Sequence, residues 1–138
     1  MRFAKWVFTL AGVWGFLVLT PLYFAQSRIG RDSPPAITHP EFFYGFIGVA
    51  LAFQVVFFVI GRDPLRHRAL MVPSILEKLA FAVPAAILFL HGQLASQAVV
   101  GGMIDLLLGA LFAISFVKTG ADAGHLQSER RISAHATY

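Results

Sequence analysis

The chain contains no cysteine. That excludes disulfide stapling, thiol catalysis, Cys-ligated zinc and iron–sulfur clusters. It does not select a compartment. Charge is scarce as well. Charged residues are 13% of the 138 and hydrophobic residues 57%, where soluble domains carry about 25% charged residues. A soluble domain of this length has too little interior to hide so many Phe, Leu, Val and Ile side chains. The mean hydropathy of +0.71 puts the chain in the membrane class. Also missing are a phosphate-binding glycine loop and a G-x-S-x-G nucleophile elbow. The glycines of "AGVWG" sit inside an apolar run and read as helix packing. No segment repeats with a period of 20–50 residues, and none is of low complexity.

What is present is apolar and helical in pattern. A bilayer core needs about 20 apolar residues per helix, and four such runs occur, at about 4–25, 42–60, 69–90 and 97–117. The expected fold is all-α, an integral membrane antiparallel four-helix bundle over residues 1–119. Residues 120–138 follow as a polar cytoplasmic tail that frays beyond Thr119. Arg2 and Lys5 could open a signal peptide. Tyr23 stands where cleavage before Gln26 would want a small residue, so a retained span is expected. The stretch "QSRIGRDSPPAITHPEF" reads as an ordered loop, with Thr38 capping the second long helix and Pro40 in its first turn. Asp63 and Pro64 read as the N-cap and N1 of the third, and "HGQLAS" as a tight turn.

Formal charge is +4 and the sequence pI about 10.0. The arginines cluster in short loops beside apolar runs, which is an orientation signal; no nucleic-acid partner is expected. Arg2, Lys5, Arg62, Arg66, Arg68, Lys118, Arg130 and Arg131 fall on one side of the threading, and Arg28 and Arg31 on the other. Both termini are therefore expected in the cytoplasm. Trp6 and Tyr23 suit the two interfacial aromatic belts.

The informative residues are polar ones inside the runs. In "SILEKLAFAV", Glu77 and Lys78 stand side by side near the middle of the third run, where a lone charge costs at least ~2.5–3.5 kcal/mol. Neighbours point about 100° apart on a helix, so the two are not expected to pair face to face. Pro73, Glu77, Ala80, Pro84 and His91 share a stripe, which suggests a kinked helix lining something polar. Asp105 is the single charge of the fourth run. It shares a face with Ala98, Gly101, Gly102, Gly109 and Ala113, small residues that let helices approach closely. Counted at 1.5 Å per residue, Lys78 and Asp105 fall within roughly 5 Å of one depth, and they are the expected ion pair. Two acids against one base leave one charge over, and Glu77 is the acid expected to hold a proton.

Glu41, Gly45, Gly48 and Ala52 share a face of the second run, and Gly12 and Gly15 mark a close contact of the first. Gln54 points elsewhere, to bond across helices or to sit in an oligomer contact. His39, Glu41 and His91 fall at one non-cytoplasmic level. They include metal-ligand residue types, but no H-x-x-H or H-E-x-x-H spacing joins them, so no metal, haem or other cofactor is assigned.

"HPEFFYGFIGVAL" opening a helix, "RDPLRHRALM" turning at the cytoplasmic face and "GGMIDLLLGALFAI" closing the bundle together resemble the small bacterial four-helix membrane proteins of the DoxX-like kind, over about residues 40–118. The resemblance implies a bacterial cytoplasmic (inner) membrane location. Thiol redox work linked to some members does not transfer to a chain without cysteine. A similarity to the four-helix sterol-isomerase-like fold would rest on Glu77 and Asp105 alone. Three readings follow, the first preferred. One is a structural or accessory membrane protein acting through helix contacts, with the lipid bilayer and a membrane-protein partner or second copy as partners. The second is a binder or carrier of a small lipophilic or protonatable ligand, with Glu77 as anchor, Lys78 and Asp105 paired, and Glu41, His39 and His91 shaping the outer mouth. The third is a membrane enzyme using buried carboxyls.

Overall fold

The computed structural model describes residues 1–32, 36–94 and 96–135. Residues 33–35 of the expected loop, Ala95 of the expected turn and residues 136–138 of the expected tail lie outside the described residues. Every regular element described is helical: α1 (Arg2–Leu19), α2 (Gln26–Asp32), α3 (Pro40–Arg62), α4 (Met71–Leu90) and α5 (Ser96–His135). Four stretches are long and apolar enough to cross a membrane: Arg2–Phe24, Pro40–Arg62, Arg68–Leu90 and Ala98–Gly124. A helix of 23 residues is about 35 Å long, more than the ~30 Å hydrocarbon thickness of a bilayer.

The helix ends follow local chemistry, not always as expected. α1 tightens into a 3-10 turn over Thr20–Phe24, where Pro21 has no N–H to continue the α pattern. The expected loop holds a short helix, α2, over Gln26–Asp32. α3 is capped by His39, not Thr38, and with no side-chain hydrogen bond. Pro40 at its start needs no donor, and the amides of Phe42 and Phe43 turn to the His39 carbonyl. Asp63 and Pro64 do not open the next helix. The Asp63 carboxylate instead accepts from the Arg66 amide at 3.2 Å, closing a turn. A 3-10 turn at Arg68–Leu70 follows, and α4 begins at Met71. Pro73 then falls in the first turn, where no intrahelical donor is lost.

α4 ends at Gly92, whose φ of +68° only glycine adopts without strain. The Gln93 amide bonds the Leu88 carbonyl and the Gly92 amide that of Phe89, both at 2.9 Å. That is a Schellman ending, and it turns the chain back into α5 within a few residues. Past Thr119, where fraying was expected, α5 continues to His135.

α1 lies along α3, α4 along α5, and the two pairs join mainly through α1 and α5; α3 and α4 touch sparsely. Glycines set both pairings. A Cβ at Gly12 would stand 3.1 Å from the Phe58 ring, and one at Gly61 3.2 Å from the Thr9 amide nitrogen. On the other pair, a Cβ at Gly109 would stand 3.4 Å from the Lys78 Cβ, and one at Gly102 3.1 Å from the Ala85 Cβ. The core joining the pairs is Ala4, Phe8, Ala11, Phe57, Ile60, Met71 and Phe112. Phe112 stacks on Phe8 with centroids 4.2 Å apart and meets the edge of Phe57 at 4.9 Å. All of it lies in the half of the helices nearest Met1. The same end carries Arg68, whose guanidinium lies over the Phe116 ring at 3.7 Å and donates to the Phe116 carbonyl at 3.2 Å.

Candidate functional site

Lys78 lies on the stripe that α4 buries, with Met71, Ser74, Ala82 and Ala85. Gly109 opposite leaves room for its backbone to approach α5. Its four-carbon stem carries Nζ up to Asp105, 3.1 Å from Oδ1. The same Nζ stands 3.2 Å from Oε1 and 3.1 Å from Oε2 of Glu77. Glu77 and Lys78, not expected to pair face to face, do meet through the lysine's far end. Their Cβ atoms do diverge, but the flexible lysine swings its ammonium back between both acids. The Phe57 ring of α3 lies 5.4 Å from Nζ, a cation–π distance. The side chains of Lys78, Glu77 and Asp105 are 7%, 14% and 19% exposed, so all three charges sit among apolar groups.

The acids face different ways. Asp105 shares a stripe of α5 with Gly101 one turn before it and Phe112 two turns after. Gly101 lies under the Phe81 ring and Phe112 packs between Phe8 and Phe57, so Asp105 points to the middle of the four helices. Glu77 is one turn before Phe81 on α4, and Phe81 meets Phe46 of α3 with centroids 5.7 Å apart. Glu77 therefore lies on the side of α4 turned to α3, where the two helices touch sparsely. Its Oε2 is buried and accepts no hydrogen bond. Three carboxylate oxygens lie 3.1–3.2 Å from one ammonium.

The rest of the expected polar stripe is not gathered here. Pro73, Ala80, Pro84 and His91 are exposed, because α4 buries the Lys78 stripe against α5 instead. Compared with protein-family models, curated proteins and solved structures, the chain matches none.

His39 and Glu41 do meet, Nδ1 to Oε1 at 3.1 Å, both exposed. His91 is exposed at the end of α4 and does not join them; no group of three or more His, Asp or Glu able to hold a metal occurs among the described residues. Gly12, Gly15, Gly101, Gly102 and Gly109 all lie at helix contacts. Gly48 has the Tyr23 hydroxyl 3.3 Å from the place of a Cβ, but Gly45 has nothing within 4 Å. Gly45 faces outward because α3 turns its Gln54 side, not its Glu41–Gly45 side, to α1.

Gln54 is buried, with 1% exposure. It bonds within its own helix, Nε2 to the Ala50 carbonyl at 2.8 Å, and Oε1 has no hydrogen-bond partner. A Cβ on Gly15 would fall on its amide. Sequence reasoning missed three buried hydroxyls, Ser74, Ser115 and Thr119, each bonded to the carbonyl four residues back. Their signal was available, since a hydroxyl in an apolar helix has that carbonyl in reach. It also missed Arg68 lying along α5, which needs Gly120: a Cβ there would stand 2.7 Å from the guanidinium. A separate hollow of about 260 Å³ lies by α2, lined by Gln26, Ser27, Gly30, Arg31, Ala36 and Ile37. None of these residues belongs to the triad.

Proposed function

We propose that the chain is an integral membrane protein, an antiparallel four-helix bundle with both termini cytoplasmic, acting as a structural or accessory protein through helix contacts. The observation that carries this reading is the closure of Lys78 between Glu77 and Asp105, both at about 3.1 Å. The base has its partners within the chain, and one of them is on the neighbouring helix. That is the arrangement of a clasp holding α4 to α5. Buried ion pairs of this kind are costly to desolvate and are best used to fix register. The basic residues gathered at the end of α1, α3 and α4 nearest Met1 support the cytoplasmic placement of that end. The resemblance of residues 40–118 to the DoxX-like proteins supports a bacterial inner-membrane location.

A second reading is favoured by one feature. Glu77 and Asp105 keep 14% and 19% of their side chains exposed, so a small lipophilic or protonatable ligand could reach them between α3 and α4. Purification from native membranes after mild crosslinking separates the two. The accessory reading expects a membrane protein retained at fixed stoichiometry, and its release when Glu77→Gln, Lys78→Met and Asp105→Asn are combined. A chain that purifies without protein partners but carries a small molecule shifts the function to the second reading.

A further inference from the structure

Resting on the accessory reading, we infer that the α3–α4 side receives a transmembrane helix of a different protein, one bearing a single Lys or Arg near mid-depth that pairs with Glu77. Three observations converge. First, the triad sets two carboxyl groups against one ammonium, so Glu77 shares its only base with Asp105, and its side chain keeps 14% of its surface exposed. Second, Glu77 is on the side where the molecule is least closed, one turn from the Phe81–Phe46 contact. Third, the flanking positions Pro73, Ala80 and Pro84 are exposed and short, so they let a neighbouring helix approach closely.

A second copy of the chain does not fit this face. The other bases of the spans lie towards their ends, and the one near mid-depth, Lys78, is 6% exposed and already paired. Two copies meeting here would bring like charges together and supply no cation, which disfavours the pairing. Complementarity selects a partner with a basic residue in its membrane segment. Such residues are rare, because an unpaired one is expensive in the bilayer, so the match carries specificity.

The test uses the full chain in phosphatidylcholine vesicles with three synthetic leucine-rich helices of about 20 residues, carrying Lys, Leu or Glu at the centre. The absence of cysteine allows one fluorophore at Val55→Cys, an exposed position about half a turn around α3 from Phe46. Energy transfer from labelled helix to protein is then measured against helix density. The Lys helix is expected to associate at a density at least tenfold lower than the Leu helix, and the Glu helix least well. Glu77→Gln is expected to erase the Lys preference. Should that variant not fold by circular dichroism, Ala80→Trp decides instead, since it fills the face beside Glu77 while keeping all three charged groups and is expected to abolish the transfer. Equal association of the Lys and Leu helices overturns the charge recognition, while leaving an accessory role through apolar contact standing. A Lys preference that survives Glu77→Gln or Ala80→Trp overturns the location. Failure of every helix to associate overturns the docking face itself, whereas the accessory reading stands or falls on co-purification.

Discussion

Lys78 is worth more to the molecule than either acid beside it. Removing Glu77 or Asp105 leaves an ion pair; removing Lys78 leaves two carboxylates in an apolar interior with no base. Breaking a buried pair by deleting one partner typically costs about 3–5 kcal/mol. Lys78→Met is expected to lose that much in unfolding titrations in detergent, and the combined Glu77→Gln, Lys78→Met, Asp105→Asn variant to regain most of it. If Lys78→Met is as stable as the parent, the triad is not a clasp. The charges themselves were legible in the sequence, because the other charges of the spans lie towards their ends. The lysine's reach to both acids was not. Helical projection locates Cβ atoms, while Nζ sits at the end of four rotatable bonds and takes the position with the most negative surroundings.

At the scale of elements, the α1–α3 contact is set by glycines that tell two different stories. Gly15 faces the Gln54 amide so closely that a methyl group would fall on it, whereas Gly45 faces open space. Gly15→Ala is expected to destabilise by about 1–3 kcal/mol through overpacking, and Gln54→Ala added to it to restore most of the loss. Gly45→Ala is expected to be neutral or stabilising by up to about 1 kcal/mol, since alanine loses less backbone entropy in a helix. Matched unfolding titrations check the opposite signs, and equal effects would sink this account of the contact. The sequence marked both glycines as packing residues, since small residues at helical spacing are the only interface signal there. It could not rank them. A helix that is apolar all round carries no stripe to say which face meets its neighbour. Helix starts were legible only in part, for a related reason. Asp63 and Thr38 both have capping chemistry, but Asp63 spends its carboxylate on the turn at Arg66. The cap of α3 falls to His39, next to the proline that fixes its first φ. Polarity past Thr119 marked the end of an apolar run and not the end of a helix, since α5 carries on through Ala, Glu and Arg residues with good helix propensity.

For the whole molecule, four apolar runs were readable, because length and hydropathy are properties of the sequence alone. The tight pairs and the looser α3–α4 side were not readable; they depend on where Phe8, Phe57 and Phe112 meet, and the chain has fourteen phenylalanines of similar pattern. Orientation lies between these cases. Arg62, Arg66 and Arg68 follow α3 or open the next apolar stretch, at the same end as Arg2 and Lys5, while Arg28 lies at the opposite end with α2. If that asymmetry sets the threading, Ser27→Cys and Arg66→Cys, both exposed positions in a chain without other cysteines, report opposite sides. In intact cells an impermeant maleimide is expected to label Ser27→Cys and to reach Arg66→Cys only after permeabilisation. The reverse pattern would invert the orientation, placing the α2 end in the cytoplasm. Labelling of both from one side would remove the crossing of α3 altogether, and with it the membrane setting on which the cost of burying Glu77, Lys78 and Asp105 depends.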